Sequence, residues 1–153
     1  MKFETMNLNS VVLSGIKSMG YTDLTPIQEK AIPIALNNCD VLGLAQTGTG
    51  KTAAFILPIL QRLTTGSLGS VRSLILAPTR ELAEQIHQTV INLGSKSNVR
   101  SVALYGGVNK SPQIKALKRG VDIIVACPGR LIDHLRDGNI NLSKVEILVL
   151  DEA

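Results

Sequence analysis

The sequence has no tryptophan and only two phenylalanines and two tyrosines, so aromatic residues make up 3% of a chain that is 44% hydrophobic. A core built from this set must be aliphatic, as in parallel sheets buried on both faces. Cysteine is scarce too. Cys39 and Cys127 stand far apart, and neither has a Cys/His cluster beside it. That spacing argues against a zinc site and against the disulfide framework that oxidising compartments favour. No run approaches the ~18 consecutive apolar residues that a membrane span needs, and Met1-Lys2-Phe3-Glu4 opens no signal-peptide core. The expectation is a soluble cytoplasmic protein without a membrane partner. At 153 residues the chain is about one domain long.

The formal net charge is +4, and its distribution says more than its size. Arg100 to Arg136 holds seven basic residues against Asp122 and Asp133, whereas the last seventeen residues hold four acids against Lys144. A basic middle and an acidic end suit a polyanion partner and a metal–phosphate site, although solvated helix faces would read the same way.

Four aliphatic runs read as buried parallel strands: Asp40–Ala45, Ser73–Ala77, Val121–Ala126 and Val145–Leu150, with Val99–Tyr105 a weaker fifth. Helical patterns lie between them. Leu8, Val12, Ile16 and Met19 form a stripe closed by Gly20, and Leu82, Ile86, Val90 and Leu93 form another closed by Gly94. Thr25-Pro26-Ile27-Gln28 reads as an N-cap, a proline at the first helical position and a capping box. Ser111-Pro112 opens a basic helix that Gly120 closes. Thr64 to Ser70 is a Gly/Ser-rich connector. This alternation predicts an α/β fold with right-handed crossovers.

The densest chemical signal is Ala45-Gln46-Thr47-Gly48-Thr49-Gly50-Lys51-Thr52, between an expected strand and a helix over Thr52–Leu63. Gly48 and Gly50 let backbone N–H groups converge on a polyphosphate at a helix N-terminus whose dipole favours anions. Lys51 suits the β/γ-phosphates, and the Thr52 hydroxyl suits Mg²⁺. A strict G-x-x-x-x-G-K-[ST] would have glycine where Ala45 stands. Downstream, V-E-I-L-V-L delivers Asp151 and Glu152. In a phosphate-loop fold such a strand end brings an acid to Mg²⁺, and the next carboxylate can polarise the attacking water. Alone, two acids after a strand carry little weight, but Lys51 in the same chain adds to it.

The order A-Q-T-G-T-G-K-T, P-T-R-E-L (Pro78 to Leu82), Gly106-Gly107, P-G-R (Pro128 to Arg130) and D-E-A (Asp151 to Ala153) resembles the N-terminal RecA-like domain of DEAD-box RNA helicases, most nearly the bacterial RhlE-like branch. The resemblance implies a RecA-like P-loop NTPase domain, a mostly parallel sheet with helices on both faces, truncated at its C-terminal side. It divides the chain into a Q-motif region, 1–28, and a partial helicase domain, 29–153. It assigns Phe3, Tyr21 and Gln28 to the adenine of ATP, although the T-x-x-Q spacing by itself favours a helix cap for Gln28. It assigns Lys51, Asp151 and Glu152 to catalysis, and Thr52 and Asp151 to Mg²⁺. Pro78, Thr79, Arg80, Gly106, Gly107, Pro128, Gly129 and Arg130 fall where the family touches the RNA backbone without reading sequence, while each arginine singly could as well be a surface ion pair. Cys127 stands where the family usually has threonine, and Leu24 where it usually has proline. His87 and His134 read as structural.

The resemblance also implies that the family's next aspartate, its Ser-Ala-Thr motif and its second RecA-like domain with arginine fingers are missing. The expectation is a first-domain fragment of an ATP-dependent RNA helicase, inactive alone, with the edges of Asp40–Ala45 and Val145–Leu150 left unpaired. A DNA translocase and a non-catalytic ATP- or RNA-binding module are the rival readings. RNA target and accessory proteins are not legible.

Overall fold

The computed structural model describes residues 1–152; Ala153, the last letter of D-E-A, lies outside the described residues. After a short 3-10 turn at Phe3–Met6 the elements run α1 (Ser10–Ser18), α2 (Pro26–Leu36), α3 (Lys51–Leu63), β1 (Ser73–Leu76), α4 (Arg80–Leu93), β2 (Ser101–Leu104), α5 (Ser111–Arg119), β3 (Ile123–Ala126), α6 (Pro128–Arg136) and β4 (Ile147–Leu150). The fold is α/β, as the alternation predicts. Two compact units divide the chain: Met1–Gly66 with Thr89–Asn98, and Ser67–Gln88 with the chain from Val99 onward.

In the first unit the helix ends follow local chemistry. Asn9 caps α1, its Oδ1 accepting from the Val12 N–H at 2.9 Å, and Gly20 leaves the helix at φ +72°. Leu8, Val12 and Ile16 are buried along the expected stripe. Gly15 lies on the same helix because nothing larger fits: a Cβ there would stand 1.9 Å from the Leu93 carbonyl oxygen. Pro26 occupies the first turn of α2, which packs along α3, and Ile56, Leu57, Leu60 and Leu63 of α3 are fully buried.

In the second unit the four strands form one parallel sheet in the order β2-β3-β1-β4. All of β3 is buried, as befits a central strand, and Leu74, Leu104, Ile124 and Leu131 share one apolar cluster. The register aligns Leu104, Ala126, Leu76 and Leu150 across the sheet. Because the strands are parallel, the segments that follow these four residues all emerge at one rim.

The expected strands Ser73–Ala77, Val99–Tyr105 and Val121–Ala126 form with shorter bounds, and two others differ further. Asp40–Ala45 pairs with no other strand among the described residues, and Leu42 and Leu44 are 91% and 89% exposed. An apolar run becomes a strand only when a neighbour satisfies its N–H and C=O groups. Here most of the run is exposed to solvent instead. Val145–Leu150 shortens to Ile147–Leu150 and is an edge strand, with Leu148 and Leu150 exposed on one face.

Candidate nucleotide and nucleic-acid sites

The phosphate-loop sequence takes the shape its glycines allow. Gly48 and Gly50 adopt φ of +82° and +83°, the Thr49 hydroxyl donates to the Gln46 carbonyl at 2.6 Å, and α3 begins at Lys51. The first helical bond runs from the Ala54 N–H to the Gly50 carbonyl. The N–H groups of Lys51, Thr52 and Ala53 therefore belong to the helix end that has no intrahelical acceptors. Lys51 and Thr52 are half-buried, and Gln46, Thr47 and Gly48 are exposed. This donor set suits a polyphosphate: N–H groups at a helix start, one ammonium and one hydroxyl.

Gln28 ties this loop to the helix before it. Its Oε1 accepts from the Thr25 N–H at 3.0 Å, and its Nε2 donates to the Gly50 carbonyl at 3.1 Å. The first bond is half of the expected capping box; Thr25 and Gln28 face each other as that motif requires. The reciprocal contact falls short of a hydrogen bond, since the Thr25 Oγ1 is buried without a partner. Gly50 is confined as well as left-handed, because a Cβ would meet Gln28 Nε2 at 2.5 Å and Thr25 Oγ1 at 2.9 Å. Phe3 and Tyr21 stack with ring centroids 6.4 Å apart, Phe3 buried and Tyr21 37% exposed.

In the second unit the rim of the sheet gathers the remaining candidates. Pro78, Thr79 and Arg80 lead from β1 into α4, Gly106 and Gly107 follow β2, and Pro128, Gly129 and Arg130 form the first turn of α6. Asp151 follows β4, its N–H donating to the Leu76 carbonyl at 3.0 Å. Thr79 caps α4, accepting from the Leu82 N–H at 3.2 Å. Asp151 is buried, whereas Glu152 is exposed and holds φ +53°, a left-handed conformation uncommon for a residue with a side chain. Cys127 precedes α6 in N-cap position but supplies no side-chain cap, and burial pushes its thiol above the usual value.

Both arginines of the rim are held by neighbours that sequence alone did not single out. The Arg80 guanidinium lies 4.8 Å over the Tyr105 ring and pairs with Glu84, which also accepts from the Tyr105 hydroxyl at 2.8 Å. That hydroxyl, and secondarily Arg80, hold the Glu84 carboxyl below its ordinary value, while the same bond raises the Tyr105 phenol. Arg130 donates to Gln113 and to the Val108 carbonyl, and His134 also bonds Gln113. One signal for Gln113 was available: it shares a helix face with the apolar Ala116 and Leu117, where a polar residue is out of place.

Residues 25–153 match the model of the DEAD/DEAH box helicase family. The chain belongs to that family. It is 45% identical over 151 residues to the DEAD-box ATP-dependent RNA helicase CshA of Geobacillus kaustophilus, covering 99% of this chain and 32% of the relative. It is 42% identical to the CshA protein of Bacillus subtilis, again over 99% of this chain and 30% of the relative. A probable ATP-dependent RNA helicase of Dictyostelium discoideum, ddx27, is 46% identical over 99% of the chain and 20% of its own length. The chain thus spans a third or less of these DEAD-box relatives. Their names give the RhlE-like branch no support.

No helix among the described residues is long and apolar enough to cross a membrane, and no three His, Cys, Asp or Glu side chains there form a metal cluster. The Thr52 hydroxyl at the start of α3 and the Asp151 carboxylate after β4 are each oxygen donors of the kind Mg²⁺ takes.

Proposed function

We propose that the protein carrying this chain is an ATP-dependent RNA helicase and that this chain supplies ATP- and RNA-binding parts of its first RecA-like domain. Residues 1–28 serve as the Q-motif region and 29–153 as the partial helicase domain. The observation that carries the reading is the left-handed turn at Gly48 and Gly50 opening α3 at Lys51, held from behind by Gln28. Backbone N–H groups at that helix start bind phosphates, Lys51 balances the β/γ charge, and Tyr21 and Gln28 face the base. Thr52 and Asp151 are the proposed Mg²⁺ ligands, and the ion would supply charge neutralisation to the nucleotide phosphates. Glu152 orients the attacking water.

The rim of parallel strand ends supports RNA as the second ligand. Thr79 and Arg80, Gly106 and Gly107, and Gly129 and Arg130 offer N–H groups and guanidinium forks to a sugar–phosphate backbone. Such donors recognise charge and spacing and carry no base information. The names of the relatives point the same way, since each is called an RNA helicase. Cytoplasmic location belongs to the same proposal.

RNA-stimulated ATP hydrolysis by the full-length protein tests this reading. Lys51→Ala, Asp151→Asn and Glu152→Gln should each lower turnover by on the order of 10²-fold or more, the loss expected when one preorganised electrostatic contact is removed. Glu152→Gln should leave RNA affinity unchanged. Stimulation by DNA in place of RNA, or full turnover by Glu152→Gln, would overturn it.

A further inference from the structure

Arg130 is anchored through a buried polar network whose orientation follows from one fact: a guanidinium can only donate. Its Nη1 faces a terminal atom of the Gln113 amide at 3.2 Å, so that atom is the oxygen, Oε1. His134 Nε2 lies 2.9 Å from the same oxygen and must therefore carry the proton. In a neutral imidazole the other nitrogen, Nδ1, is then an acceptor, and it takes a hydrogen bond from Asn139 Nδ2 at 3.1 Å. The remaining end of the amide, Gln113 Nε2, donates to the Tyr105 carbonyl at 3.1 Å. Arg130 Nη2 donates to the Val108 carbonyl at 3.1 Å. Gln113 is 7% exposed and His134 fully buried.

These bonds bracket the Gly106-Gly107 turn. Tyr105, just before it, is held by Gln113; Val108, just after it, is held by Arg130. We propose that Gln113 is a positioning residue for RNA: it locks Arg130 and the Tyr105–Val108 turn into one geometry, so that both meet the RNA backbone as a unit. The inference rests on the proposed RNA contact of Arg130. An unheld arginine would lose rotamer freedom on gripping a phosphate, and prior ordering by Gln113 removes much of that cost. Two of the five guanidinium N–H groups are used on Gln113 and Val108, and Asp133 stands 3.9 Å from Nε, which leaves the outer N–H groups of Nη1 and Nη2 for a phosphate.

The test is fluorescence-anisotropy binding of a short oligouridylate to the full-length protein across a salt series, with RNA-stimulated ATPase measured in parallel. Arg130→Ala should weaken binding and flatten the slope of log K against log[salt] by about 0.7, one phosphate contact. Gln113→Met should weaken binding by about tenfold, the scale of a hydrogen bond to a charged group, and the Gln113→Met/Arg130→Ala double variant should lose clearly less than the product of the two single losses. The RNA concentration for half-maximal ATPase should rise while turnover at saturating RNA holds, a split that general loss of structure would not produce. Gln113→Asn, which keeps the amide but withdraws it by one carbon from Arg130, carries the same expectations if the methionine variant does not fold. Multiplying losses, or wild-type RNA affinity in both Gln113 variants while Arg130→Ala is impaired, would overturn the positioning role alone. A silent Arg130→Ala would overturn the RNA contact on which it rests.

Discussion

Gln28 and Gly50 are 22 residues apart, yet the amide of the first donates to the carbonyl of the second at 3.1 Å. The other end of that amide caps α2 through the Thr25 N–H. One side chain thus stabilises a helix start and fixes the last turn of the phosphate loop, immediately before Lys51. The cap and the hold on the loop use opposite ends of one amide, so each leaves the other in place.

Gln28→Ala should therefore act at two levels. Loss of the cap bond should lower stability by about 1 kcal/mol in urea unfolding. Loss of the bond to Gly50 should weaken ATP and GTP alike. If the amide also reads the adenine edge, ATP should lose a further ~1–3 kcal/mol relative to GTP, the cost of an unpaired polar edge. Equal losses for the two nucleotides would confine Gln28 to the loop and the cap.

Gly15→Ala should destabilise the first unit far more than an exposed helical Gly→Ala change, which usually stabilises. The added Cβ would sit 1.9 Å from the Leu93 carbonyl oxygen, so backbone must move. A loss of about 2–3 kcal/mol is expected from overpacking. An unchanged urea midpoint would show that α1 can shift freely at this contact.

Stability should fall as the solution becomes mildly acidic. His87 and His134 are both held below the ordinary imidazole value of 6.5, each chiefly by burial; Lys110 and Arg130 add to the effect at His134, whereas Ser101 opposes it at His87. A lowered folded-state value means that the unfolded chain takes up protons first. Their contribution is therefore complete above 6.5 and lost as pH falls through and below it, with a limiting slope of about 1.4 kcal/mol per pH unit per histidine. Urea midpoints across this range check it, and a midpoint that rises on acidification would contradict the burial of both rings.

The 153-residue chain by itself should self-associate. β4 is a sheet edge with Leu148 and Leu150 57% and 58% exposed, and Leu42 and Leu44 stand in solvent on unpaired backbone. Such edges recruit other strands. Sedimentation should show concentration-dependent oligomers that Leu148→Lys with Leu150→Glu reduces, and a monodisperse monomer would count against the edge as the cause.

What the sequence determined by itself was everything decided over a few residues. Pro26 and Gly20 mark helix ends through their own backbone preferences, the apolar spacings of α1 and α4 select a buried face, and the glycines at 48 and 50 permit the left-handed loop. The family motifs were legible for the same reason, each being a short run with its chemistry in order. Tertiary structure alone decided the rest. Whether Asp40–Ala45 is a strand depends on a partner for its backbone, and apolar composition cannot supply one. Which strand is central depends on the order β2-β3-β1-β4, which no local pattern encodes. The hold of Gln113 on Arg130 joins residues 17 apart through an amide whose orientation is set only when a donor-only guanidinium comes to face it.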